Sequence, residues 1–252
     1  MDFKKILVAG CSWSSGYGHK DYKGYGEELS DLLNCDVDNI ADAGIDNYYS
    51  IYQIYNYLLD NSPDLIILQL TSLDRSSIPI DGYENFLYTD IRTVTKQGKI
   101  FRLNPGSYLN MDYYLEDFYK VTNIDKIPDL KNFLKLFFER VTFSNYFLAN
   151  TMYSIAGLQS FVKQKGIKIL IYPYQQYGWR TITNDKGEKT SAQNIHSFEF
   201  IDKSSYINLS FEEFVGGTEE QKKLSIDKGF HLSKKGHRIL AEKFLLPYIE
   251  KL

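Results

Sequence analysis

Ser12, His231 and Asp227 are the residues whose types suggest chemistry, with Gly44 and the polar run from Thr71 to Arg75 beside them. A serine hydroxyl is a poor nucleophile until a base takes its proton. Acyl chemistry also asks for a carboxylate that orients the base and for donors that hold the oxyanion. Ser12 comes just after an apolar run, residues 6–9, and Gly10. A serine past the end of a first strand sits where α/β sheets build their sites, with N–H groups of the turn and the next helix at hand. His231 is the best available base: it follows a glycine-containing turn and precedes Ser233, a natural helix N-cap, so its ring is held at a loop-to-helix junction. His237 falls on the helix itself, and His19 and His196 stand in polar loops without a partner motif. Cys11, next to Ser12, is an alternative nucleophile but occupies the wrong position in the turn.

A fold has to gather these residues. Residues 6–9, 64–70 and 167–172 are apolar runs that read as buried strands, and 35–40 as a shorter one. Residues 24–33 and 48–59 carry apolar side chains at helical spacing, with Asp46 or Asn47 to cap the second. Residues 130–158 look helical, and 234–251 form the closing helix. Residues 174–191 are polar and read as a mobile loop turning at 184–187, and a last short strand is expected near Tyr206 and Ile207. The pattern weakens over 76–129, which is too long for a connecting loop and reads as an insertion after the third strand with small elements of its own. Strands alternating with helices imply the α/β class, a parallel sheet covered on both faces, in a single domain over residues 1–252. Such a sheet collects the polar clusters along one edge.

Bulk properties exclude several classes. A net charge of −3 with no lysine or arginine cluster leaves no electrostatic footprint for nucleic acid. Two cysteines, Cys11 and Cys35, form no disulfide framework and have no metal-ligand spacing. Neither a signal-peptide core nor an apolar segment of membrane-spanning length is present, so a cytoplasmic protein with no membrane partner is expected. Gly10, Gly16 and Gly18 do not make the dinucleotide-binding spacing, and no cofactor or metal is expected. The aromatic fraction is 15%, with 21 tyrosines and 16 phenylalanines. Such rings stack on sugars or, more often, pack as helix faces.

Together these features resemble the SGNH/GDSL hydrolase family, with recognisable blocks from residue 5 to residue 245. The Gly-Asp-Ser block is similar to Gly10-Cys11-Ser12, the glycine block to Ala43-Gly44-Ile45-Asp46-Asn47, the Gly-x-Asn-Asp block to Gln69-Leu70-Thr71-Ser72, and the closing Asp and His to Asp227 and His231. The Gly-Cys-Ser-Trp-Ser-Ser-Gly opening is especially like a divergent phage and bacterial branch. The resemblance implies a three-layer α/β/α, flavodoxin-like sandwich. It implies Ser12 as nucleophile, His231 as general base and Asp227 as its orienting acid, with Ser12, Gly44 and Thr71 holding the oxyanion. Trp13, Asn47, Arg75 and Tyr174 are the candidate substrate-binding residues.

Three positions depart from that pattern. Cys11 replaces the aspartate before the serine, and Thr71 replaces an oxyanion asparagine, whose side chain reaches further than a hydroxyl. Losing one such donor costs about 2.7–4 kcal/mol of transition-state stabilisation. The aspartate stands four residues before the histidine, where the family has three, and a bulge in the turn at Gly229 would absorb the difference. The implied activity is hydrolysis of a short acyl ester, a small molecule or an acetyl group on a carbohydrate. The alternatives are a non-catalytic binding or structural module of the same fold, and acyl transfer to a sugar acceptor.

Overall fold

A computed structural model describes residues 3–71, 145–175 and 196–252, together with 76–79, 87–88, 100–103, 132, 181–183 and 189–191. The chain opens with β1 (Lys5–Ala9), α1 (Tyr25–Leu33), β2 (Asp36–Asn39), α2 (Asn47–Asp60) and β3 (Leu65–Leu70). Three short strands follow, β4 (Ser76–Pro79), β5 (Leu87–Tyr88) and β6 (Ile100–Leu103), then α3 (Asn145–Gln164) and β7 (Lys168–Pro173). The last third holds β8 (Thr181–Thr183), β9 (Lys189–Ser191), α4 (Phe211–Phe214), α5 (Thr218–Lys223), α6 (Lys234–Ile239) and α7 (Leu246–Ile249).

The main sheet has the order β2-β1-β3-β7, and every pairing is parallel. Its central strands are predominantly apolar because both their faces are covered. Ile6, Val8, Leu65, Ile67, Leu170 and Tyr172 point to one side, onto Tyr25 and Leu29 of α1 and onto Leu240, Phe244 and Ile249 near the C-terminus. The alternate residues Leu7, Ala9, Ile66, Leu68, Ile169 and Ile171 meet Ile51, Ile54 and Leu58 of α2 and Met152, Ile155, Leu158 and Val162 of α3. One strand period thus sorts the core into two halves, and the result is a three-layer α/β/α sandwich.

The register also positions the site. Ala9 pairs with Leu68, so the chain leaves β1 beside the last residues of β3. Asp46, rather than Asn47, caps α2, its carboxylate accepting from the Tyr49 N–H at 2.7 Å.

Four elements differ from the sequence expectation. The helix expected over 130–158 is described over Asn145–Gln164, and nearly all of 130–144 lies outside the described residues. The expected loop over 174–191 contains the antiparallel pair β8–β9, with Ile182 opposite Thr190; polar residues pair there through their backbones. No strand forms at Tyr206 and Ile207. A single parallel bridge joins Tyr206 to Ile171, after two 3-10 turns at His196–Phe200 and Lys203–Ser205. The closing helix is interrupted by a π-helical stretch, Leu240–Leu245, just before Pro247, which has no N–H to give the preceding turn. Within the expected insertion, β4 pairs antiparallel and β5 parallel with β6.

Candidate active site

Gly10 ends β1 with φ +147°, and a Cβ there would stand 2.8 Å from both Cβ and Oε1 of Gln69. Only glycine lets the two chains approach so closely. Gln69, fully buried near the end of β3, then organises the turn: its Oε1 accepts from the Cys11 N–H at 3.1 Å, the Cys11 thiol at 3.3 Å and the Ser14 hydroxyl at 3.1 Å. The chain folds back on itself where Ser14 N–H and Ser15 N–H both donate to Cys11 O. Ser12 rides on this turn, 6% exposed, with Oγ 2.9 Å from Nε2 of His231.

His231 and Asp227 belong to one short hairpin. Ser225 and Leu232 form an antiparallel bridge, and Ile226 N–H donates to His231 O at 2.7 Å, leaving Asp227 to Phe230 as the loop. Phe230 is left-handed, φ +60°, whereas Gly229 keeps an ordinary φ. What Gly229 supplies is room, since a Cβ there would lie 3.0 Å from Cε1 and 3.1 Å from Nδ1 of the His231 ring. Asp227 Oδ2 lies 2.6 Å from His231 Nδ1, while Oδ1 accepts from Gly229 N–H at 2.9 Å and His231 N–H at 3.2 Å. Partial burial pushes the Asp227 carboxyl up, but the donors from His231 and Gly229 outweigh it and hold the group below the usual aspartate range. An ionised Asp227 fixes the proton of the neutral ring on Nδ1, which turns the Nε2 lone pair toward Ser12.

On the other side, the ends of α2 and β3 are tied together. Asn47 Oδ1 accepts from the Thr71 N–H at 2.8 Å, and Asn47 Nδ2 donates to Thr71 O at 3.1 Å. Both residues are buried, and Thr71 Oγ1 has no hydrogen-bond partner among the described residues. Gly44, in the loop before α2, has φ +68° and is partly exposed.

No protein-family model matches the chain, and no curated protein matches it. Solved structures do. The psychrotrophic esterase EstA from Pseudoalteromonas sp. is 12% identical over 98% of this chain and 97% of its own, with a TM-score of 0.52. A protein from Lactobacillus plantarum is 13% identical over 100% and 98%, with a TM-score of 0.52. TesA is 13% identical over 98% and 99%, with a TM-score of 0.51. The chain has the SGNH/GDSL hydrolase fold.

Within this SGNH frame, several expected site residues have other duties. Trp13 and Tyr174 were expected to touch substrate, but both are buried, at 5% and 0% exposure. Their rings stack at 4.4 Å and 18°, Trp13 Nε1 donates to Gly229 O at 2.9 Å, and the Tyr174 hydroxyl donates to Phe230 O at 2.8 Å. Adjacency to the serine drew Trp13 into the expected pocket, whereas its size sends it into the core. Asn47, also expected at substrate, has its amide engaged by the Thr71 backbone. Cys11 is fully buried and its thiol faces Gln69, so it offers no accessible nucleophile. Arg75 lies outside the described residues.

Sequence reasoning missed three residues of the candidate site. Gln69 looked like part of an apolar strand, and only the β1–β3 register reveals it. Tyr17, half-buried, lies against the His231 ring with centroids 4.4 Å apart. His19 Nε2 donates to Leu232 O at 2.8 Å, next to the catalytic candidate His231. Among the described residues no group of three or more His, Cys, Asp or Glu side chains is placed to hold a metal ion, and no helix is long and apolar enough to cross a membrane.

Proposed function

We propose that this protein is a serine ester hydrolase for short acyl esters, with an acetyl group on a carbohydrate as its substrate class. The observation that carries this reading is the run of contacts from Ser12 Oγ to His231 Nε2, 2.9 Å, and from His231 Nδ1 to Asp227 Oδ2, 2.6 Å. In the reaction, Ser12 Oγ attacks the ester carbonyl carbon as His231 Nε2 takes its proton, and Asp227 stabilises the imidazolium. The carbonyl oxygen becomes an oxyanion held by the N–H groups of Ser12 and Gly44 and by the Thr71 hydroxyl. Thr71 Oγ1 suits that duty, being a buried donor with no partner among the described residues. Collapse breaks the ester C–O bond, and the alcohol leaves with the proton from His231. Water then gives its proton to His231 and attacks the acyl-serine; the bond from Ser12 Oγ to the acyl carbon breaks, His231 returns the proton to Ser12 Oγ, and the acid is released.

The carbohydrate side of the reading rests on the aromatic-rich composition, since tyrosine rings suit sugar faces. Turnover of p-nitrophenyl acetate tests the acyl chemistry. Wild type should hydrolyse it, and Ser12→Ala should lose about a thousandfold or more of the rate. Equal rates for the two proteins contradict the serine mechanism.

A further inference from the structure

We propose that Trp13 and Tyr174 are positioning residues that hold the Asp227–His231 hairpin in register with Ser12, by donating to two consecutive carbonyls of its loop. The inference rests on the serine-hydrolase reading of the site. Ser12 and His231 come from opposite ends of the chain, and the hydrogen bond between them is 2.9 Å long. Something must fix the distance between their two turns, because proton transfer fails when the base is displaced by a fraction of that length.

Trp13 is suited to this by sequence as well as by structure. It is the residue after Ser12, so its indole extends from the nucleophile turn itself, and Nε1 reaches Gly229 O at 2.9 Å. Tyr174 approaches from the end of β7, and its hydroxyl takes the next carbonyl, Phe230 O, at 2.8 Å. The stack at 4.4 Å makes one rigid plate of the two rings. A third ring, Phe211, stacks with Tyr174 at 5.8 Å, and Tyr174 N–H donates to Leu70 O at 3.3 Å, so the plate is anchored to the core and to β3.

The hairpin needs such a clamp. Its loop is solvent-exposed at Asp227, Lys228 and Gly229, and Phe230 holds a left-handed conformation that a bulky side chain adopts only under strain. A strained residue persists where its surroundings over-determine it. Here the two donors occupy the carbonyls on either side of the Gly229–Phe230 step, the segment that sets where the His231 ring begins. Both aromatic residues donate to the backbone that leads into His231, so their effect passes through His231.

Tyr174→Phe and Trp13→Phe test this, each removing a donor while keeping an aromatic ring in the stack. The readouts are kcat and KM for p-nitrophenyl acetate, and the downfield proton resonance of His231 Nδ1 in 15N-histidine-labelled protein, assigned by its loss in His231→Gln. Both variants are expected to lose about three- to tenfold in kcat at unchanged KM, the range of one hydrogen bond. Their Nδ1 proton should broaden or exchange away while the circular dichroism stays that of wild type. Unchanged kcat in both variants, or an unaltered Nδ1 resonance, overturns the proposal. A wild type without esterase activity defeats the hydrolase reading instead, and the Nδ1 resonance, which needs no substrate, then decides the clamp alone.

Discussion

The carboxylate of Asp227 lies 2.6 Å from Nδ1 of His231 at an interval of four residues. Within that interval Phe230 turns left-handed, and Gly229, without a side chain, stays clear of the imidazole. Backbone N–H groups of Gly229 and His231 hold the other carboxylate oxygen, so the acid is oriented by its own loop.

Asp227→Asn should reveal this pairing in both activity and stability. Without the carboxylate, the Nδ1 proton loses its fixed acceptor, and kcat is expected to fall about a hundredfold or more. The Asp227 group is held below its ordinary range in the fold. Its contribution to stability is therefore present above the ordinary value, about 3.9, and is lost as pH falls through the lowered one. Unfolding midpoints of wild type and Asp227→Asn should differ most near neutrality and converge in acid. The gap will be small, because the carboxylate is 40% exposed and screened by water. A gap that widens toward acid contradicts the assignment.

Gln69 should matter as much for folding as for chemistry. Gln69→Leu strands the Cys11 N–H and the Ser14 hydroxyl, both buried, without their shared acceptor. Each unsatisfied buried group costs about 1–3 kcal/mol, so the unfolding free energy should drop by about 3 kcal/mol in urea at an unchanged slope. A drop below about 1 kcal/mol would mean that the turn finds other acceptors.

His237 makes the fold sensitive to mild acid. It is buried against His19 and Tyr22, with Nδ1 lacking a hydrogen-bond partner among the described residues. Burial, and then the charges of His19 and His231, lower it from 6.5 to about 3. The unfolded chain takes up a proton at this histidine below its ordinary value while the folded chain refuses it, so stability is full above that pH and falls as pH drops from 6.5 toward 3. His237→Leu should flatten the fall of the unfolding midpoint across that interval. An identical pH profile in wild type and variant contradicts the buried neutral ring.

The central strands were legible because a strand buried on both faces has no polar side to hide its pattern: β1, β3 and β7 announce themselves as predominantly apolar runs. The pair β8–β9 was not, since Thr181, Thr183, Lys189 and Ser191 are held by backbone pairing rather than by an apolar face. Ser12, His231 and Asp227 stood out through residue type and position beside strands and caps. The supporting contacts of Gln69, Trp13 and Tyr174 did not, because these residues bond across the fold to groups remote in the chain. A large aromatic residue next to a serine suggests a pocket wall in sequence, and only the packing shows it turned inward. The departures at Thr71 and Asp227 likewise became interpretable only with geometry: a hydroxyl without a described partner in one case, a left-handed turn in the other.

Labelling with a fluorophosphonate tests the central claim most directly, since the probe reacts with a serine only when a base activates it and needs no knowledge of the natural ester. Mass analysis of the intact protein and its peptides should find one phosphonyl group, carried by Ser12, with no adduct in Ser12→Ala and greatly slowed labelling in His231→Gln. A wild-type protein that stays unlabelled, or an adduct that persists in Ser12→Ala, contradicts the account of Ser12 as a nucleophile activated by His231.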